Sequence, residues 1–210
     1  MSQDLDRTLM RRAIAAGRQA LGHAWPNPAV GCVIARGEEV IAVAATAQGG
    51  RPHAEEQALA EAGERARGAA AFVTLEPCAS RSSGSPSCTD LLIGARVARV
   101  VFAVEDPSPH ASGGGLERLK DAGVQVEIGL LAEEAEALSA GFLRRIRTGC
   151  PLIEAADDAA GYDACFDPSP GEALEAALRR YGGEGYTRLW TPRGGALAWE
   201  LGRVGLLEQG

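Results

Sequence analysis

The sequence predicts an α/β fold built on a largely parallel sheet covered on both faces, with a hairpin attached on one side. Three observations carry that reading. From Ala70 onward, apolar runs alternate with helical patterns as strand, helix, strand, helix, strand, helix, which is how parallel strands joined by crossover helices read. Ahead of them, two short apolar runs flank Arg36-Gly37-Glu38-Glu39 and read as a hairpin. Val97 to Val104 is almost wholly apolar, as expected of a strand buried on both faces.

Taken in order, Leu5, Leu9, Met10, Ile14, Ala15 and Leu21 recur at helical spacing behind Asp4 and Asp6. They predict an amphipathic first helix with Arg11, Arg12 and Arg18 on its polar face. Trp25-Pro26-Asn27-Pro28 stops it, because proline cannot continue a helix. Val30 to Ala35 and Val40 to Ala45 form the hairpin. Gly49-Gly50-Arg51-Pro52 leads into a second helix starting at His53, with Ala54, Ala58, Leu59 and Ala62 inward. Ala70 to Leu75 is a third strand ending at Glu76-Pro77-Cys78, and a Ser/Gly loop, Ser80 to Ser87, leads to a third helix reaching about Ala95. After Asp106-Pro107-Ser108-Pro109 come a helix around Leu116 to Ala122, a strand Val124 to Ile128, and a closing helix Glu133 to Arg147. Gly113-Gly114-Gly115 reads as a helix lead-in rather than a phosphate loop.

Beyond Cys150-Pro151 the character changes. Ala155 to Ala160 is polar and alanine-rich, Asp167-Pro168-Ser169-Pro170 is a linker signal, and Glu172 to Tyr181 is a short helix. The expected division is a domain over 1–149 and a short tail over 150–210. The tail is too small and glycine-rich to bury much alone, so it should pack on the first domain or on a second subunit.

Net charge −7 and pI near 5.1 argue against a nucleic-acid surface, which needs a basic face. The N-terminus has no basic region followed by an apolar run, and no membrane span is visible. The five cysteines are an odd set. The expectation is a reducing cytoplasm, in which clustered cysteine means metal or catalysis.

The chemistry concentrates between His53 and Cys88. One imidazole (His53), two thiols (Cys78, Cys88) and a nearby carboxylate (Glu55) are the donor set of a catalytic Zn2+ with an open fourth position and a proton carrier beside it. Helical spacing alone would favour Glu56 over Glu55 as the partner of His53. Glu55 is chosen because His-x-Glu followed by Pro-Cys…Cys is the zinc-deaminase signature, in which the glutamate takes the proton of the attacking water and delivers it to the departing ammonia. Nine residues separate Cys78 from Cys88, where that signature has two. Cys32 is the spare cysteine for a closed structural zinc, but its apolar strand makes it a buried small hydrophobe, and Cys150 and Cys165 read the same way.

The long Cys78 to Cys88 loop resembles that of the riboflavin-biosynthesis pyrimidine deaminase family. The resemblance spans most of residues 5–149. It rests on Pro26-Asn-Pro-Ala-Val-Gly-Cys32, Gly49-Gly-Arg-Pro-His-Ala-Glu55, Thr74-Leu-Glu-Pro-Cys78, Ala95-Arg-Val-Ala-Arg-Val100, Asp106 to Pro109, and Gly141-Phe-Leu-Arg-Arg-Ile-Arg-Thr-Gly149. It implies a cytidine-deaminase-like three-layer α/β/α sandwich with a mixed five-stranded sheet. It also implies zinc on His53, Cys78 and Cys88, Glu55 as proton shuttle, and Asn27 touching the substrate ring. The chain departs from the family in the loop Ala79 to Ser87, where Arg81 alone remains as a cation for a phosphoribosyl group, and at Thr46 and Ser108, where members carry other polar residues.

Leu189 to Ala198 and Val204 to Glu208 look like a remnant of the reductase domain of bifunctional members, with Gly194-Gly195 a vestigial turn. No nicotinamide cofactor is expected. The readings in play are deamination of the phosphoribosylated diaminopyrimidine, deamination of another aminated pyrimidine or purine, and a catalytically silent assembly subunit. The expected partner is a small molecule, with no nucleic acid and no membrane, in a homo-oligomer.

Overall fold

The computed structural model describes residues 2–111 and 114–208. Gly113 of the glycine run lies outside them. The first unit is a five-stranded sheet of order β2-β1-β3-β4-β5, with β1 Gly31–Arg36, β2 Glu39–Ala45, β3 Ala70–Leu75, β4 Arg99–Val104 and β5 Gln125–Ile128. β1 is antiparallel to β2 and β3, whereas β3, β4 and β5 run parallel. The sheet is therefore mixed, as expected.

Strand alternation sends Cys32, Ile34, Ala71, Val73 and Phe102 to one core and Val33, Ala35, Phe72, Val101 and Ala103 to the other. The first core lies under α2 (Ala54–Ala62), α3 (Cys88–Gly94) and α4 (Gly114–Asp121). The second lies under α1 (Gln3–Arg18), with Ala135 of α5 (Ala132–Thr148) joining it. Phe142 and Leu143, about two turns further along α5, reach the first core.

α1 is capped by Ser2, whose hydroxyl accepts the Leu5 N–H at 3.3 Å. Its buried stripe is Leu9, Met10, Ala13, Ile14 and Gly17, so Ala15 points outward, contrary to expectation. Ala13 takes the inner place because it lies over β1: a Cβ on Gly31 would come within 1.8 Å of the Ala13 carbonyl oxygen. Asp6 is not a cap. It is buried and pairs bidentately with Arg99 at 3.0 and 2.6 Å, tying the start of α1 to the start of β4. At the sheet edge β5 leaves Ile128 45% exposed.

The tail is more structured than its composition suggests. β6 (Leu152–Ala156), β7 (Ala164–Cys165) and β8 (Arg188–Pro192) form a parallel sheet of order β6-β8-β7. With α6 (Leu174–Glu184) and α7 (Ala196–Arg203) they enclose Ile153, Phe166, Leu178, Leu189 and Leu201. The expectation that this segment buries little alone is corrected by that cluster. Cys165 is exposed and Cys150 half-buried, another correction: just past β7, Phe166 takes the inward place. The tail packs on the first unit through Trp25 stacked on Tyr186 at 4.4 Å and the Arg145 Nε donating to the Gly182 carbonyl at 2.8 Å. Gly182 itself sits so close that a Cβ would lie 1.9 Å from the Gly149 oxygen.

Candidate metal centre and active-site cavity

The two junctions expected to carry the chemistry meet at the carboxyl end of β3. Ligands collect at that end of parallel strands because the connecting loops open there. His53 precedes α2 as its cap, with extended backbone (φ −68°, ψ 162°). Cys78 follows β3 through Glu76 and Pro77, and Cys88 opens α3 behind the cap Ser87. His53 Nδ1 lies 3.3 Å from Cys88 Sγ and 3.9 Å from Cys78 Sγ. The three donor atoms lie within 4.8 Å of one another. Backbone bonds hold the sulfurs in place: the Cys88 N–H donates to Cys78 Sγ at 3.3 Å and the Thr89 N–H to the Cys78 carbonyl at 3.1 Å.

This donor set fits zinc. Both cysteines are free thiols rather than a disulfide, and two sulfurs with one imidazole leave one tetrahedral position open. The Cys88 hydrogen bond holds the Cys78 thiol down to about 3, with His53 adding to it, and pushes Cys88 up together with burial. Cys32 is buried in β1 and stands apart from the ligand group.

Glu55 is 3% exposed and lines the same cavity as His53 and Cys78. Burial raises its carboxyl, opposed by His53 and by a backbone N–H. Glu56, the choice by helical spacing, turns outward instead: its Oε2 accepts from Arg81 at 3.0 Å and from the His53 N–H at 3.4 Å. The spacing rule fails because His53 is a cap and not a helical residue.

The cavity holds about 380 Å³, the size of a small-molecule site. Every described residue lining it precedes residue 150. Asn27 is on its wall, its Nδ2 donating to the Gly50 carbonyl at 3.0 Å. Gly50 has φ +83°, and a Cβ there would fall 2.4 Å from that Nδ2, so the Asn27 seat requires glycine. Thr46 also lines the cavity, but its hydroxyl accepts from the Val30 N–H and donates to the Pro28 carbonyl at 3.0 and 2.9 Å, tying the hairpin to the Pro-Asn-Pro turn. Arg81, expected as the cation for a phosphoribosyl group, is turned inward: its side chain is 5% exposed and its Nη2 also reaches Cys88 Sγ at 3.5 Å.

Sequence reasoning missed Glu76, Asp106, His110, Arg51, Phe142 and Arg145 as wall residues. Glu76 accepts the Asp106 N–H at 3.2 Å, and Asp106 accepts the Ser108 N–H at 2.8 Å. Burial raises the Asp106 carboxyl against that bond. Glu76 and Asp106 sit just past the ends of β3 and β4, so the rule of strand carboxyl ends could have found them. Phe142 and Arg145 arrive from α5, within the Gly141 to Gly149 motif that carried the resemblance but gave no sign of a place on the wall.

A three-layer sandwich carrying His-Cys-Cys donors beside a buried glutamate defines the class of zinc-dependent deaminases. Residues 3–104 match the family model described as the cytidine and deoxycytidylate deaminase zinc-binding region. Within that class the chain is similar to the riboflavin-biosynthesis pyrimidine deaminase family. It is 48% identical over 149 residues to riboflavin biosynthesis protein RibD of Escherichia coli, covering 71% of this chain and 40% of that protein. To the chloroplastic riboflavin biosynthesis protein PYRD of Arabidopsis thaliana it is 40% identical over 148 residues, covering 70% and 34%. The chain thus spans less than half the length of these relatives. In fold it superposes on Acinetobacter baumannii RibD with a TM-score of 0.84 at 24% identity, covering 98% of this chain and 85% of that one. A deaminase/reductase of Thermotoga maritima gives 0.83 at 22%, covering 96% and 84%. No helix among the described residues is long and apolar enough to cross a membrane.

Proposed function

We propose that the chain hydrolytically deaminates 2,5-diamino-6-(5-phosphoribosylamino)pyrimidin-4(3H)-one, releasing ammonia and leaving 5-amino-6-(5-phosphoribosylamino)uracil. The carrying observation is the meeting of His53, Cys78 and Cys88 with buried Glu55 on one cavity, in a chain whose relatives are riboflavin biosynthesis proteins. His53 Nδ1 and the two sulfurs would hold zinc, which when bound lowers the pKa of a water molecule toward neutrality. Glu55 is the proton carrier: it takes the proton of the water that adds to the amino-bearing ring carbon and hands it to the leaving nitrogen. Its burial and raised pKa suit it to both halves of that transfer. Asn27, held by Gly50, orients the ring. Thr46 shapes the wall through its backbone bonds.

A second reading keeps the chemistry and changes the substrate to another aminated pyrimidine or purine. The inward turn of Arg81 favours it, since the loop then offers serines where a phosphoribosyl group needs cations. Ammonia release across a panel of free base, nucleoside and phosphoribosyl compound separates the two: the first reading requires the phosphoribosyl compound to be preferred, and turnover confined to base or nucleoside overturns it.

Residues 150–210 are proposed to be a reductase-like unit without hydride-transfer activity, and a purified protein that oxidised NADPH with the deaminated product would contradict this. We also propose a homo-oligomer, supported by Trp199, 71% exposed on α7, and Val204, 42% exposed just past it, and a cytoplasmic setting, in which the free thiols of Cys78 and Cys88 persist. A monomeric mass by sedimentation would remove the oligomer.

A further inference from the structure

Three arginines line the active-site cavity: Arg51, Arg81 and Arg145. Two are committed. Arg81 is buried against Glu56 and Cys88. Arg145 donates through Nε to the Gly182 carbonyl and through Nη1 to the Pro26 carbonyl at 3.4 Å. Arg51 is exposed, and no hydrogen bond or ion pair engages its guanidinium among the described residues. It also lines the adjoining cleft under Ser83, Ser85 and Pro86 of the cysteine loop, which places it at the rim between cavity and solvent. It is two residues before His53, joined through Pro52, whose ring restricts the link. A ring seated against Glu55 and Asn27 would send any long substituent toward such a rim. A guanidinium left without a partner there is the group that binds a phosphate best, because its planar fork matches two phosphate oxygens.

We infer that Arg51, and not Arg81, is the specificity residue that receives the terminal phosphate of the substrate, with Ser82 also on the cavity wall. This rests on the deaminase reading above and names its phosphate subsite. Arg81 is left to a positioning task, holding Glu56 and the Cys88 sulfur.

The test compares wild type with Arg51→Ala and Arg51→Lys, each zinc-loaded, in two assays. In turnover, the ratio of kcat/KM for the phosphorylated compound over its dephosphorylated form should fall about tenfold or more in Arg51→Ala, with partial recovery in Arg51→Lys. In calorimetry, binding of ribose 5-phosphate should weaken by a similar factor, with ribose as control. An unchanged ratio together with unchanged ribose 5-phosphate affinity overturns the inference. Absence of wild-type turnover on the phosphorylated compound counts against the substrate reading instead, and the calorimetric arm still decides Arg51: wild-type protein that does not prefer ribose 5-phosphate over ribose refutes it.

Discussion

Glu55 and Glu56 are adjacent, yet one is sealed inside the cavity and the other bridges Arg81 to the cap of α2. The difference follows from where α2 begins, a property of the chain trace and not of residue type. The ligands were legible because imidazole and paired thiols announce themselves by chemistry; the orientation of Arg81 was not, because it depends on Glu56 and Cys88 arriving from two other segments. Replacing Cys88 with Ser or His53 with Ala should reduce bound zinc from about one per chain to near zero, read by atomic absorption, since two remaining donors hold the metal weakly. Chelation should remove activity from wild type and added zinc restore it. Gly50→Ala, which places a Cβ 2.4 Å from Asn27 Nδ2 in a positive-φ position, should raise KM severalfold and lower stability by about 1–3 kcal/mol, measured by steady-state kinetics and urea unfolding.

At the scale of elements, β3 was legible to the residue because both its faces are apolar and both its ends are punctuated. α1 was legible as a helix, but its inner stripe was misread at Ala15, since close approach to Gly31 decides which alanine faces in. β6 and β7 escaped because one is alanine-rich and the other only two residues long; their pairing with β8 supplies what propensity lacks. The loop entering α6 carries its own titratable lock. Arg180 and the Ser169 N–H hold the Glu172 carboxyl down to about 2. A carboxylate whose folded pKa is depressed contributes stability above its ordinary range, and that contribution is lost as pH falls through about 4.5 toward about 2. Glu172→Gln should therefore reduce the drop in urea midpoint between pH 6 and pH 3. An equal drop in both proteins would remove this role. The pair is exposed, so the effect should be small.

Across the whole molecule, the cavity belongs to the first unit and the tail buttresses it from behind. Trp25 against Tyr186 and Arg145 against Gly182 connect the tail to the Pro-Asn-Pro turn and to α5, which both line the cavity. That coupling was foreseen only as packing, because Gly182, Tyr186 and Trp25 carry no shared local signal in the sequence. Gly182→Ala, which must displace the Gly149 carbonyl, should loosen the tail, lowering stability by about 1–3 kcal/mol in urea unfolding while zinc content stays at one per chain; loss of zinc would mean that the tail holds the metal centre itself. A zinc-dependent deamination in this cavity turns on Glu55 as its proton carrier. The deciding measurement is ammonia release from the phosphoribosylated diaminopyrimidine by zinc-loaded wild type and Glu55→Gln with zinc quantified in both. The expected result is turnover by wild type and a loss of about 10²–10⁴-fold in the variant at equal zinc content. Equal turnover by both, or none by zinc-loaded wild type, would contradict it.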